Sequence, residues 1–393
     1  MYNVASYIKQ GKKMKLTKLS LVAALAVSSA FAGGDIAPVE PVVEAPVVEA
    51  AACNSNTTIS GKAVAYYYTD DSVDFFDNKS SSLGLAATLD VKHNFTENIA
   101  ANFTAVGFTN AISDNYMEGK ESGAFFNVAN ITATFAGTTA VLGRQLIDSP
   151  MFGSWDWLLA PSSFEAYTLV NNSIANLTLV GTYVTKFRPQ NAGDTFVDLT
   201  KLDDGNNYAL GAVYGADALS ASVWYYNIDA GVAAGNQDKY TQVYVDAGYN
   251  FGAFNVAGQY VATDYNTGLD SDAYGIKAGA SVAGFDLYAA YNDVTDSAAG
   301  QVGRTGLYTA MWNNAFLNSE VGSSWKVDAS TTFAGLAVEL AYADYDLAGE
   351  EFDAILGYGI TNCISVDAIY TNTKYTESED ATNALELIAT YKF

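Results

Sequence analysis

The 393-residue chain contains one histidine, His93, and two cysteines, Cys53 and Cys363. A serine hydrolase needs an imidazole base oriented by a third group. His93 stands alone before a short turn and reads as an ordinary polar residue, so an enzyme is not expected. Spacings such as HxxEH or CxxC are absent, and no metal site is expected from them. No stretch approaches 18 consecutive apolar residues, which excludes a transmembrane helix. Bases are scarce, 19 against 43 acids. Five of them (Lys9, Lys12, Lys13, Lys15, Lys18) precede residue 33, so only 14 remain beyond it. Phosphate binding needs clustered Lys and Arg, so nucleic acid is excluded as a partner. Total charge is only 16%, while aromatics reach 13%, a β-rich profile with polar loops.

The N-terminal 56 residues are not expected to be part of the fold. Residues 1–32 carry a basic run, a short apolar core from Leu19 to Val27, and Ser28-Ser29-Ala30-Phe31-Ala32 as a small-x-small cleavage signature. They read as a signal peptide. Residues 33–56 repeat Pro among Val-Val-Glu, and Pro38, Pro41 and Pro46 forbid a stable helix or central strand. This stretch is expected to be an extended periplasmic spacer, with a partner tether as the other reading.

From residue 57 to 393 the pattern has period two. Val243, Val245, Ala247, Tyr249 and Phe251 alternate with Gln242, Tyr244, Asp246, Gly248 and Asn250; Tyr274, Ile276, Ala278 and Ala280 alternate with Gly275, Lys277 and Gly279. Such alternation predicts strands with one apolar and one polar face. Eighteen segments fit, from 58–69 to 382–393. Short gaps such as Ala136-Gly137-Thr138, Ala283-Gly284 and Ala334-Gly335 interleave with long polar ones at 70–81, 110–124, 188–205, 229–238 and 294–322. The expected fold is all-β: a closed antiparallel transmembrane β-barrel of about 18 strands, with short periplasmic turns and long external loops. Closure matters because lipid cannot satisfy an open sheet edge. The rival is a soluble sandwich or solenoid. It sits badly with Lys92, Asp246, Lys277, Lys326, Asp328, Glu339, Asp367 and Glu386 on the second face, which suits a water-filled lumen. Tyr66, Tyr67, Tyr183, Tyr225, Tyr249, Tyr260, Tyr342, Tyr370 and Tyr391 near strand ends predict aromatic girdles. A terminal strand ending on Phe393 resembles the C-terminal signal of bacterial outer-membrane barrels.

One stretch breaks the rhythm, Gly143 to Ala166, with two Trp, two Pro and a set of opposed charges. Strand counting makes it the third external loop, expected to fold inward at about 147–162 and narrow a pore. Arg144 is read as one wall of a constriction or as the partner of Asp148 or Glu165, with Asp156 among the loop acids. Trp155 and Trp157 are read as packing the loop on the wall or as interface aromatics. Gly143-Arg144-Gln145, Pro150, Leu158-Leu159-Ala160-Pro161-Ser162-Ser163-Phe164-Glu165-Ala166, Asn176-Leu177-Thr178-Leu179 and Tyr183-Val184-Thr185-Lys186-Phe187-Arg188 together resemble the OprD-like porin family. The likeness extends to the epsilon-proteobacterial major outer-membrane porins and is sharp from Val141 to Arg188. It implies a passive diffusion channel, adds Lys186 and Arg188 to the constriction, and implies a homotrimer. Substrate-selective members line the pore with a ladder of arginines; this chain has three in all, Arg144, Arg188 and Arg304.

The expected function is an outer-membrane porin passing ions and small hydrophilic solutes with mild cation selectivity. The alternative is a structural or adhesive surface barrel with a closed lumen. Outer-membrane lipids and lipopolysaccharide are the expected surroundings. No cofactor is expected beyond weak divalent-cation binding by acidic loops such as Asp70-Asp71-x-x-Asp74 and Asp203-Asp204. Cys53 and Cys363 fall at one rim of a closed barrel, where an exported chain can join them in a disulfide.

Overall fold

A computed structural model describes residues 56–112, 122–155, 160–189, 199–202, 205–229, 239–346, 349–376 and 379–393. The signal-peptide and spacer readings for residues 1–55, and with them Cys53, lie outside these residues, as do Asp156 and Trp157.

Eighteen antiparallel strands close on themselves. In chain order they are β1 (Thr57–Asp70), β2 (Ser81–Asn94), β3 (Ile99–Asn110), β4 (Ser122–Phe135), β5 (Thr138–Gln145), β6 (Ser163–Ile174), β7 (Leu177–Arg188), β8 (Asn207–Ala216) and β9 (Leu219–Ile228). They continue as β10 (Tyr240–Asn250), β11 (Phe254–Tyr265), β12 (Ser271–Val282), β13 (Phe285–Thr295), β14 (Gly322–Phe333), β15 (Leu336–Tyr345), β16 (Gly349–Gly359), β17 (Ile364–Lys374) and β18 (Thr382–Lys392). Each pairs with its chain neighbours, and β1 pairs with β18 from Lys62↔Lys392 to Asp70↔Ala384. The two-residue strand Thr200–Lys201 adds to the upper end of β7. The seam is sealed at both ends. Gly61 and Phe393 exchange backbone hydrogen bonds at 2.9 and 3.0 Å, and the Asn383 amide groups donate to the Asp71 carboxylate. Those bonds hold the half-buried Asp71 carboxyl below its ordinary range.

The short turns have a local cause. Ala136-Gly137, Ala283-Gly284 and Ala334-Gly335 all take positive φ at both residues (48° and 74°, 51° and 86°, 50° and 85°). That is the two-residue hairpin geometry whose twist matches the strands, and glycine supplies its second position without strain.

The two faces separate as the period predicts. Leu142, Leu169, Ile276, Val327, Leu340 and Leu387 are exposed on the outer wall. At the short-turn end the wall carries Phe95, Phe135, Phe251, Phe285, Phe333 and Tyr391; at the long-loop end it carries Tyr167, Tyr183, Tyr225, Tyr274, Tyr291 and Trp325. An apolar band between two aromatic girdles is what a lipid-embedded barrel presents. Tyr66 is an exception to the expected girdle. It is 1% exposed and faces inward, because its parity on β1 follows Val64, also buried.

Two features prepare the interior. β5 is the shortest of the eighteen strands, eight residues. Its neighbourhood also holds two register shifts, at Asn127 on β4 and at Thr185 on β7. Bulges of this kind bend a strand and re-aim side chains. Where β5 ends, the chain turns into the barrel.

Candidate functional site: two inward segments and a polar inner wall

In the third long connection, residues 146–155 and 160–162 lie against the inner wall. Met151 and Phe152 are at most 1% exposed and belong to one apolar cluster with Phe164, Phe187, Trp224, Tyr226 and Tyr244 of the inner wall. Phe152 packs edge-on against Phe164, with ring centres 5.2 Å apart. The Met151 N–H is capped by the Tyr226 hydroxyl at 3.3 Å.

A second inward segment, 296–321, is the part that sequence reasoning missed. It connects β13 to β14 and crosses the lumen against the wall from β10 to β18. Irregular backbone inside a barrel must find partners on that wall, and it does so systematically. Carbonyls take donors from the strands: Ala298 from Tyr265 (2.8 Å), Gly300 from Gln242 (2.7 Å), Tyr308 from Tyr288 (2.7 Å), Thr309 from Tyr345 (2.6 Å) and Ala310 from Lys326 (3.1 Å). Three successive N–H groups then find carboxylates. Trp312 donates to Asp353 (3.2 Å), and Asn313 and Asn314 donate to the two oxygens of Glu351 (2.7 and 2.8 Å). The Trp312 indole adds a bond to Glu386 at 3.0 Å. Lys277 lies 4.1 Å above the Tyr308 ring, and burial beside Asp246 pushes that phenol above its ordinary pKa, so it stays neutral.

The inner-wall charges are therefore not set in an open, water-filled lumen. Lys277, Lys326, Asp328, Glu351, Asp353 and Glu386 are each at most 9% exposed. Much of their capacity is spent on the inward segment. The signal was present in the sequence as a long gap at 294–322 facing strands rich in lumen-side Tyr, Gln and Glu. Nothing in the gap itself announced an inward course.

The two segments touch. Gly153 donates to the Val302 carbonyl (3.1 Å), and Val302 donates to that of Met151 (2.9 Å), a short parallel bridge. Gly303 sits at φ 68°, and an added Cβ there would meet the Gly153 oxygen at 2.6 Å, so only glycine allows this approach. Arg304 forms an ion pair with Asp148 across the same contact. Trp155 packs on Phe316 with ring centres 5.5 Å apart, which places it between the two segments.

The expected constriction residues divide into three groups. Asp148 and Trp155 are in the lumen, but the partner of Asp148 is Arg304, not Arg144. Arg188 is fully buried and acts as a clamp. Its guanidinium donates to Asn127 (2.8 Å), to Ser163 (3.3 Å) and to the Pro161 carbonyl, and it stacks 4.3 Å above Phe125. It thus ties the returning end of the loop to β4 across the place where β5 has stopped. We expect Arg188→Ala to orphan several buried groups and cost about 3 kcal/mol or more. A lower urea midpoint for unfolding, by tryptophan fluorescence, checks this; an unchanged midpoint contradicts it.

Arg144, Glu165 and Lys186 fall on the outer wall instead of lining the pore. Arg144 shares parity with the exposed Leu142, and Glu165 with the exposed Tyr167, while Gln145, Phe164 and Ala166 beside them are buried inward. The three are cross-strand neighbours, Arg144↔Glu165↔Lys186, with a Lys186–Glu165 ion pair of 3.2 Å. For Arg144 and Glu165 neighbouring parity leaves no choice of face; Lys186 faces outward because the extra residue at Thr185 resets the parity of β7.

Cys363 is exposed in the short turn before β17. His93 hydrogen-bonds Thr57 at 2.8 Å, at the same rim. Among the described residues no group of three His, Cys, Asp or Glu side chains is placed to hold a metal ion. Of the acidic cluster on the first long loop, the Asp70 oxygens already accept from Tyr68 and Ser72.

No protein-family model matches the sequence, and no curated protein does. Solved structures do. OpdK of Pseudomonas aeruginosa, determined with vanillate, superposes with TM-score 0.72 at 15% identity, covering 86% of this chain and 98% of that one. OccD3 (OpdP) of the same organism gives 0.69 at 18%, covering 86% and 91%. A BenF-like porin of Pseudomonas fluorescens Pf-5 gives 0.71 at 15%, covering 86% and 98%. At these identities the likeness establishes the fold. The structural neighbours are porins of the OprD and Occ type, the family that the 141–188 motif resembles.

Proposed function

We propose that this barrel sits in the outer membrane and passes ions and small hydrophilic solutes by diffusion, through a lumen narrowed by the 146–162 loop and the 296–321 segment. The observation that carries the reading is the division of polarity. The outer wall is an apolar band between aromatic girdles, while the inner wall holds Lys, Asp, Glu, Gln and Asn. A soluble two-layer protein would invert this. Porins among the structural neighbours support the same reading.

A mild cation preference follows from the inner wall of β14 to β18. Away from the bonds to the inward segment it carries the acids Glu339 and Asp367 against Lys392. Fixed charges of one sign along a narrow passage favour the opposite ion. Reversal potential under a potassium chloride gradient tests it: cation preference is expected, and anion preference would overturn it. A homotrimer is carried only by the motif resemblance, and cross-linking in the membrane tests it.

The second reading, a closed surface barrel, is favoured by one observation: the two inward segments touch each other and together reach opposite sides of the inner wall. Ala160 at the loop's return packs with Val64, Tyr66 and Phe108, while Met311 of the other segment packs on β15. Conduction decides between the two.

A further inference from the structure

The outer wall carries one basic sector that the pore does not use. Arg144, Glu165 and Lys186 form a straight row across β5, β6 and β7, and Lys201 continues it as the cross-strand neighbour of Lys186. The row lies at the long-loop end, one residue before the end of β5 and two residues inside β6. Directly below it on the same face are Leu142, Tyr167 and Tyr183, all exposed. Those rings belong to the girdle, so the charges stand at headgroup height.

Across β11 to β16 this rim has the opposite sign. By the same parity, Asp264, Asp272, Asp293, Asp344 and Glu350 point outward at the long-loop ends of β11 to β16, with Lys374 of β17 opposite Glu350. In a chain with 43 acids and 19 bases, two cations flanking a single carboxylate at one sector is a local reversal of the overall charge.

We propose that Arg144 and Lys186 dock the phosphate groups of an anionic outer-leaflet glycolipid, whose acyl chains lie on the Leu142–Tyr167–Leu169 face below. Three observations favour that occupant. The row adjoins the apolar band, so a ligand there meets lipid on one side and water on the other. Guanidinium and ammonium groups complement phosphate. The row also stands far around the barrel from the acidic arc. A closed ring of three copies would need its two complementary faces much closer together than β6 and β13 lie, so a neighbouring copy's acidic rim is the poorer fit. The acidic arc takes phosphate only through a bridging divalent cation; the basic row takes it directly.

The inference rests on the outer-membrane reading but not on conduction, so a barrel that carries current yet ignores phosphate overturns this inference alone. The probe is fluorescent diphosphoryl lipid A, compared with its phosphate-free analogue, retained by the full-length folded barrel in detergent with EDTA present. The wild type should retain the phosphorylated lipid over the analogue. Arg144→Gln with Lys186→Gln should lower that retention by roughly tenfold or more, since each basic group near an anionic surface contributes a comparable factor. Lys374→Gln should leave it unchanged. Heat-modifiable gel mobility confirms that each variant is folded. Equal retention of the two lipids by the wild type would overturn the proposal. So would a double variant that keeps the lipid but loses its oligomeric state, which makes the row a contact between copies.

Discussion

Arg304→Ala should give channels that visit a wider state. The substitution removes the Asp148–Arg304 ion pair at a contact between the two inward segments. Breaking a buried pair costs about 3–5 kcal/mol. Asp148 is 23% exposed, so solvent repays part of that and about 2 kcal/mol is the fitting figure. Such a loss shifts the balance between joined and separated segments roughly thirtyfold. The backbone bridge between Gly153 and Val302 remains, so the segments part intermittently instead of permanently. Single-channel recordings should show added openings of larger conductance. The swap Asp148→Arg with Arg304→Asp should restore much of the wild-type pattern. Recordings of Arg304→Ala indistinguishable from wild type would show that the ion pair does not hold the aperture.

Glu351→Ala should release the tip of the second segment. Its two oxygens receive the N–H groups of Asn313 and Asn314, and no water reaches that fully buried side chain. Each orphaned donor costs about 1–3 kcal/mol, and two at once bring the tip close to the stability of a single loop contact set. Asn313 keeps its bonds to Thr371 and Thr373, and Trp312 keeps Asp353 and Glu386, so the rest of the barrel stays folded. Limited proteolysis should cut within 310–316 in Glu351→Ala and spare the wild type, with noisier current as the functional counterpart. Glu351→Gln retains one acceptor oxygen and should lie between the two. Equal resistance in all three would mean that the carboxylate is not what anchors the tip.

Much of the barrel was readable in the chain. Period two with Val243, Val245 and Tyr249 on one face and Gln242 and Tyr244 on the other leaves one arrangement of faces, because a one-residue slip inverts every side chain. The third loop was readable as a departure because its Trp, Pro and acids interrupt that period. The outward placement of Arg144 and Glu165 was also written in parity, since Leu142 and Tyr167 share their faces; that of Lys186 depends on the extra residue at Thr185, which nothing in the sequence announces. A charged cluster beside an anticipated pore drew the assignment inward instead. The second segment was not readable, for a physical reason. Its course is set by hydrogen bonds donated by Tyr265, Gln242, Tyr288 and Lys326 and accepted by Glu351, on five different strands. Lumen-side polar residues look the same in a sequence whether they meet water or a folded-in chain. Arg188 shows the same limit: its partners Asn127 and Pro161 are brought to it by the end of β5, 43 residues away in sequence.

Conduction by the folded wild-type protein in a planar bilayer tests the central claim most directly. A channel narrowed by two joined segments should give discrete, reproducible current steps, and replacing 298–320 with a short Gly-Ser linker should enlarge them. Correctly folded, membrane-inserted barrels that give no steps, or steps that keep their size without the segment, would contradict it.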